Sequence, residues 1–154
     1  MIKLGLVPYG KILPLRAEQP TLTYNSVGRH ISCMVNTRVT STLSPWLYGS
    51  KAGDIHTIAV SHGEGRFVAS KEVLEELKKN GQIATQYVDF SGEPSMNIPY
   101  NPNGSMWGVE GITSPDGRVL GKMGHSERIG DNVAKNIYGN KDQKIIENGV
   151  AYFK

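Results

Sequence analysis

Between His30 and Thr40 the chain alternates with a period of two, and Ile31, Cys33, Val35, Thr37 and Val39 fall on one face. That period belongs to an extended strand with one side buried, so the fold has to contain a sheet. Thr21 to Asn25 reads as a further strand, and Ser44-Pro45-Trp46 breaks the run. His56-Thr57-Ile58-Ala59-Val60-Ser61-His62 is short and nearly continuously apolar, then meets the glycine-bearing turn Gly63-Glu64-Gly65-Arg66-Phe67. Buried strands of mixed or parallel sheets often look like this.

Helix signals are concentrated between Ser70 and Asn80. Ser70 suits the N-cap, Glu72 the positive end, Lys78 and Lys79 the negative end, and Gly81 the stop, while Val73, Leu74 and Leu77 form an apolar stripe. Gln82 to Phe90 returns as a strand, and Ser91 to Ser105 is a loop with Asn101-Pro102-Asn103-Gly104 as its sharpest turn. Met106 to Thr113 and Arg118 to Met123 read as a hairpin joined by Ser114-Pro115-Asp116-Gly117. Asp131 or Asn132 is positioned to cap a helix through Tyr138, and the tail carries an apolar set (Ile145, Ile146, Val150, Phe153) suited to docking on the body. Met1 to Gly10 resembles the last turn of a helix stopped at Gly5, a helix with no beginning.

At 154 residues and 38% hydrophobic content, the chain is long enough for one domain with a real core. Its formal charge of +3 comes from scattered basic residues, which argues against nucleic-acid binding, where a clustered stripe is expected. No apolar run approaches the roughly 20 residues that span a bilayer, and no signal-peptide core is evident, so neither a membrane nor a secretory route is expected and the cytoplasm is the default. The single cysteine, Cys33, excludes an internal disulfide and fits a reducing compartment.

Chemistry-bearing residues cluster in two H-x-E pairs. In an extended segment residues two apart share a side, so Glu127 can reach His125 and hold one tautomer of its ring. His62 and Glu64 repeat the pattern, and the four side chains together are one conceivable donor set for a divalent metal, although zinc sites usually show tighter spacing on one element. What is missing is an obvious nucleophile. Cys33 reads as a buried strand residue, since reactive thiols favour electropositive, exposed turns. Asn25 and Arg29 either contact substrate or fix a turn; Asn101, Asn103 and Ser105 either line a site or close a loop; Trp46 and Trp107 suit a core or an interface. The glycine turn after His62 lacks the Lys-Ser/Thr ending of a phosphate-binding loop.

Four blocks in this order resemble one family. Asn25-Ser26-Val27-Gly28-Arg29, the Val60 to Phe67 segment with its His-Gly-Glu-Gly-Arg core, Tyr100 to Ser105, and Met106 to Arg128 are similar to the C-terminal glutaminase region of phosphoribosylformylglycinamidine synthase, a purine-biosynthetic ligase. The resemblance implies an α/β fold, the second part of a class I glutamine amidotransferase (flavodoxin-like) mixed sheet with flanking helices. It implies that His125 is general base and acid, that Glu127 orients it, and that His62, Glu64 and Arg66 lie near the glutamine pocket or the ammonia channel.

The family's nucleophile elbow reads roughly Gly-x-Cys-Asn-Gly and leads into a segment resembling Ile2 to Gly10. The expectation is therefore a single partial domain over 1–154 that starts just after the nucleophile, lacks the first strands and is inactive alone. Glutamine and the synthetase part of the enzyme are the implied partners. ATP and magnesium belong to that synthetase part, and no cofactor is expected here. Missing strands would expose a sheet edge and favour self-association. A docking module without catalysis, and a metal hydrolase using His62 and His125, are the alternative readings.

Overall fold

The computed structural model describes all 154 residues. A short helical turn, α1 (Leu6–Tyr9), leads into β1 (Thr21–Thr23), β2 (Ile31–Val39), β3 (Ile55–His62) and β4 (Arg66–Val68). Then come α2 (Lys71–Lys79), β5 (Ile83–Tyr87), β6 (Val109–Thr113), β7 (Leu120–Lys122) and α3 (Ile145–Phe153). Five strands form one sheet in the order β3-β2-β5-β6-β7, and β1 pairs with β4 in a separate ribbon. Helices and sheet are both present, as an α/β fold requires, but every ladder within these residues is antiparallel.

The sheet curls until its two ends meet. Just beyond β7, the His125 N–H donates to the Ala59 carbonyl of β3 at 2.8 Å, and the Thr57 N–H donates to Asn140 O at 2.7 Å. β3 is thus an edge strand of an antiparallel sheet rather than a strand of a parallel one, and the chain after β7 covers part of its outer edge. Strand pairing by a second copy at that stretch is blocked, because its backbone groups are already bonded.

Three apolar clusters hold the sheet. Val35, Ile58, Val60 and Tyr87 pack together with Met123 against them. Leu74 and Leu77 of α2 join Val7, Phe67, Ile83, Val109 and Ile112, and Val39, Leu47 and Ala84 form the third. The helix forms as its sequence dictates. The Ser70 hydroxyl accepts from the Val73 N–H at 3.3 Å, and Gly81 adopts a positive φ of 69° just past the helix end.

Several expectations need correction. Residues 131–138 form turns, not a helix: Ala134 sits at φ 51°, and Val133, Ile137 and Tyr138 are exposed, so no apolar stripe exists to be buried. The strand expected from Met106 starts at Val109, because Met106–Gly108 is a single 3-10 turn. The tail does form a helix and dock, with Ile145 of its apolar set packed against Val39, Leu47 and Ala84 and Phe153 lying 6.2 Å from Trp46 between ring centroids. Ile146, Val150 and Phe153 remain exposed, whereas Asn148 and Gly149 are buried and the Asn148 amide donates to Trp46 O at 3.3 Å. Cys33 is exposed although it lies on the apolar face, because the core cluster on β2 begins only at Val35.

Leu74 is fully buried in the cluster that α2 forms with Val7, Phe67, Ile83, Val109 and Ile112. Leu74→Ala is expected to destabilise the chain by about 2–5 kcal/mol in urea unfolding, since the fixed sheet cannot collapse into the cavity.

Candidate active site

The β6–β7 hairpin delivers the H-x-E pair. Its turn is closed by Ser114 and Asp116: the Asp116 carboxylate accepts from the Ser114 hydroxyl at 2.5 Å and from the Arg118 N–H at 3.1 Å. β7 ends at Lys122, and Met123 and Gly124 lead to the bridge between His125 and Ala59. Beyond that bridge the chain turns, with the Arg128 N–H donating to His125 O at 3.2 Å. The two side chains therefore meet across a turn rather than along a strand, which is the geometry that alternation alone leads one to expect.

His125 Nδ1 lies 2.7 Å from Glu127 Oε1. The imidazole is 31% exposed and the carboxylate 68%. The carboxyl of Glu127 titrates below its usual range, first because its own backbone N–H donates to it and then because His125 does. A carboxylate on Nδ1 holds the neutral ring as the Nδ1–H tautomer and leaves Nε2 free to take and return a proton. A cleft of about 560 Å³ opens beside the pair, lined by Trp46, Leu120, Lys122, Glu127 and Ile145 among others.

The second H-x-E pair is built differently. The buried Asn25 amide donates to His62 O at 2.7 Å and to Arg29 O at 2.9 Å, while its oxygen accepts from the Gly65 N–H at 3.1 Å and lies 3.3 Å from His62 Nδ1. Gly65 lets the imidazole fold over the backbone, because a Cβ there would overlap the ring. Burial lowers the His62 pKa, and its Nε2 is buried without a partner. Glu64 points to solvent and makes no ion pair with Arg66, whose Nε is also buried and unpaired. The turn is held by Asn25 rather than by Glu64 and Arg66, and Arg29 enters through its carbonyl. No three His, Cys, Asp or Glu side chains converge as a metal site would require.

Asn101, Asn103 and Ser105 form a buried lock on this turn. Asn103 Nδ2 donates to Gly65 O at 2.6 Å and to the Tyr87 hydroxyl at 3.0 Å, and the Ser105 hydroxyl accepts from the Phe67 N–H at 3.0 Å. Asn101 closes the loop on itself through Ser105. Cys33, the chain's only thiol, is pushed up by partial burial despite its exposed position, and so stays protonated at neutral pH.

Sequence reasoning missed Glu110 and Lys122. The Glu110 side chain has no exposed surface and forms an ion pair of 3.3 Å with Lys122. The readable signal was a carboxylate set inside the apolar run Val109-Glu110-Gly111-Ile112, since a glutamate is rarely buried without a partner.

His56 and His62 both have pKa values lowered mainly by burial from an ordinary value near 6.5. The unfolded chain then binds protons that the folded chain refuses, so stability is complete above about pH 6.5 and falls as pH drops towards the lowered folded values. Urea midpoints between pH 7.5 and 5 are expected to show this decline, and His62→Asn to flatten it.

Comparison with known proteins agrees with the geometry. The family profile of the CobB/CobQ-like glutamine amidotransferase domain matches residues 1–154. The Synechocystis protein named phosphoribosylformylglycinamidine synthase subunit PurQ is 38% identical over 107 residues, 69% of this chain and 47% of that one. The phosphoribosylformylglycinamidine synthase of Saccharomyces cerevisiae is 49% identical over 80 residues, 51% of this chain and 6% of that one. Among solved structures, PurLQS from Thermotoga maritima superposes with a TM-score of 0.65 at 26% identity, covering 88% of this chain and 54% of the matched chain. The chain thus spans about half the length of the PurQ subunit it matches. A profile match along the whole chain, together with the His125–Glu127 pair, means that this chain belongs to the CobB/CobQ-like glutamine amidotransferase family.

Proposed function

We propose that these residues are the base-bearing part of the glutaminase of a phosphoribosylformylglycinamidine synthase, which hydrolyses glutamine and passes ammonia to an ATP-dependent synthetase partner in purine biosynthesis. The observation that carries this reading is the 2.7 Å contact between His125 Nδ1 and Glu127 on a chain of this family. Nε2 of His125 takes the proton of a thiol, the thiolate attacks the side-chain amide carbon, and the same nitrogen returns the proton to the departing ammonia. Water then cleaves the thioester by the same base. The thiol comes from a part of the amidotransferase outside these 154 residues, because Cys33 lies within strand β2 and in no elbow between a strand and a helix.

His62, Glu64, Arg66, Asn25 and Arg29 shape the wall near this site through the Asn25-centred turn, and none of them lines the cleft beside Glu127. The naming of the Thermotoga PurLQS assembly supports a synthetase subunit as partner. No helix is long and apolar enough to cross a membrane, and a biosynthetic role suits the cytoplasm. Exposed Phe90, Tyr138, Ile12 and Leu15 support self-association of the chain when it stands alone, which sedimentation velocity reads as species above the monomer at high concentration.

Ammonia release from glutamine tests the catalytic reading. The 154-residue chain alone is expected to be silent, and activity is expected when it is combined with a region carrying the thiol elbow and with the synthetase part. In that combination His125→Ala should lower the rate by about 10²–10⁴-fold, whereas Cys33→Ser should leave it unchanged. Activity of the chain alone that disappears in Cys33→Ser would overturn the proposal.

A further inference from the structure

Two charged side chains that the mechanism does not use lie directly beneath the turn that carries His125. Glu110 is carried inward by β6, and its carboxylate accepts from the Met123 N–H at 3.1 Å, the Gly124 N–H at 2.5 Å and the Thr85 hydroxyl. The Lys122 ammonium lies 3.3 Å from Glu110 and donates to Gly124 O at 3.0 Å and to Ser126 Oγ at 3.1 Å. Both side chains are withdrawn from solvent, at 0% and 11% exposure. The ammonium has three donors and three partners, and the carboxylate meets four donors, three of them at Oε1 and the Thr85 hydroxyl at Oε2.

What the pair organises is specific. Gly124 and Ser126 are the immediate neighbours of His125, and Lys122 holds both. Glu110 fixes the peptide N–H of Gly124 and so the direction in which the chain enters His125. Gly124 allows this approach, since a Cβ there would press on Ile58 and come within 3.0 Å of the Glu110 carboxylate. Ser126 in turn donates to the buried Gln143 at 2.5 Å, which ties the far side of the turn to the segment before α3. A buried ion pair is a poor device for stability alone, because desolvation consumes most of the attraction, but it suits the fixing of one geometry.

We propose that Glu110 and Lys122 are positioning residues for His125, clamping the backbone on both sides of the imidazole so that Nδ1 meets Glu127 and Nε2 stays free. The consequence for catalysis rests on the function proposed above; the geometric claim stands apart from it and is read without any activity. The measurement is a two-bond proton–nitrogen NMR spectrum of the full chain, at a pH where the His125 ring is neutral. The wild-type ring is expected mainly as the Nδ1–H tautomer, and Glu127→Ala marks the signal of a ring that has lost its orienter.

The double variant Glu110→Gln with Lys122→Met removes both charges and leaves neither unpaired. It is expected to lose the Nδ1–H preference while remaining folded. Ser126→Ala removes one Lys122 contact and keeps the pair, and it is expected to shift the tautomer balance in the same direction by a smaller amount. A role confined to stability would lower the melting temperature and leave the tautomer of the folded molecules untouched. Retention of the Nδ1–H form in the folded double variant overturns the proposal; if that variant does not fold, retention in Ser126→Ala does so.

Discussion

The carboxylate of Glu110 is the constraint on which the curled sheet depends. A charge taken wholly out of water has to be met by hydrogen bonds and an opposite charge, and Glu110 finds them on the two neighbouring strands and the turn beyond them. Thr85 comes from β5, Lys122 from β7, and the N–H groups of Met123 and Gly124 from the segment that leads to His125. Meeting that demand draws the end of β7 inward, and His125 then bridges to Ala59 on the opposite edge of the sheet. Sheet closure and placement of the imidazole are one event.

A second polar system faces the first across the β3 turn. Asn25, Asn103 and Ser105 use side-chain amides and a hydroxyl in place of a strand ladder, and they tie three loops together where no regular structure can. Such networks are rigid only when every member is satisfied. The atoms left over are His62 Nε2 and Arg66 Nε, both buried and both beside the lock. The apolar clusters around Leu74 and Tyr87 supply bulk stability, while these two polar systems decide where individual backbone atoms stand.

Much of this was legible beforehand. The alternation from Ile31 to Val39, the capped helix after Ser70 and the Ser114 to Gly117 hairpin all rest on local rules, and all appear. In residues 131–138 the cap-like Asp131 and Asn132 start no helix, because no apolar face follows them to be buried. Cys33 failed because a period of two tells which face a residue occupies but not how far along the strand the cover extends. The tail docks in part through its apolar set, by Ile145, but Asn148 and Gly149, whose missing Cβ gives Trp46 room, complete a contact that hydrophobicity does not announce.

The sequence by itself determined the strands of the main sheet, the helix after Ser70, the family and the pairing of His125 with Glu127, because each depends on residues close along the chain or on a motif that stands unchanged in it. Only the tertiary structure decided that the sheet closes on itself, that Asn25 rather than Arg66 holds the His62 turn, and that Glu110 and Lys122 lie under the turn that carries His125. Those outcomes turn on which polar groups lose contact with water, and burial is settled by the whole packed molecule rather than by any stretch of residues.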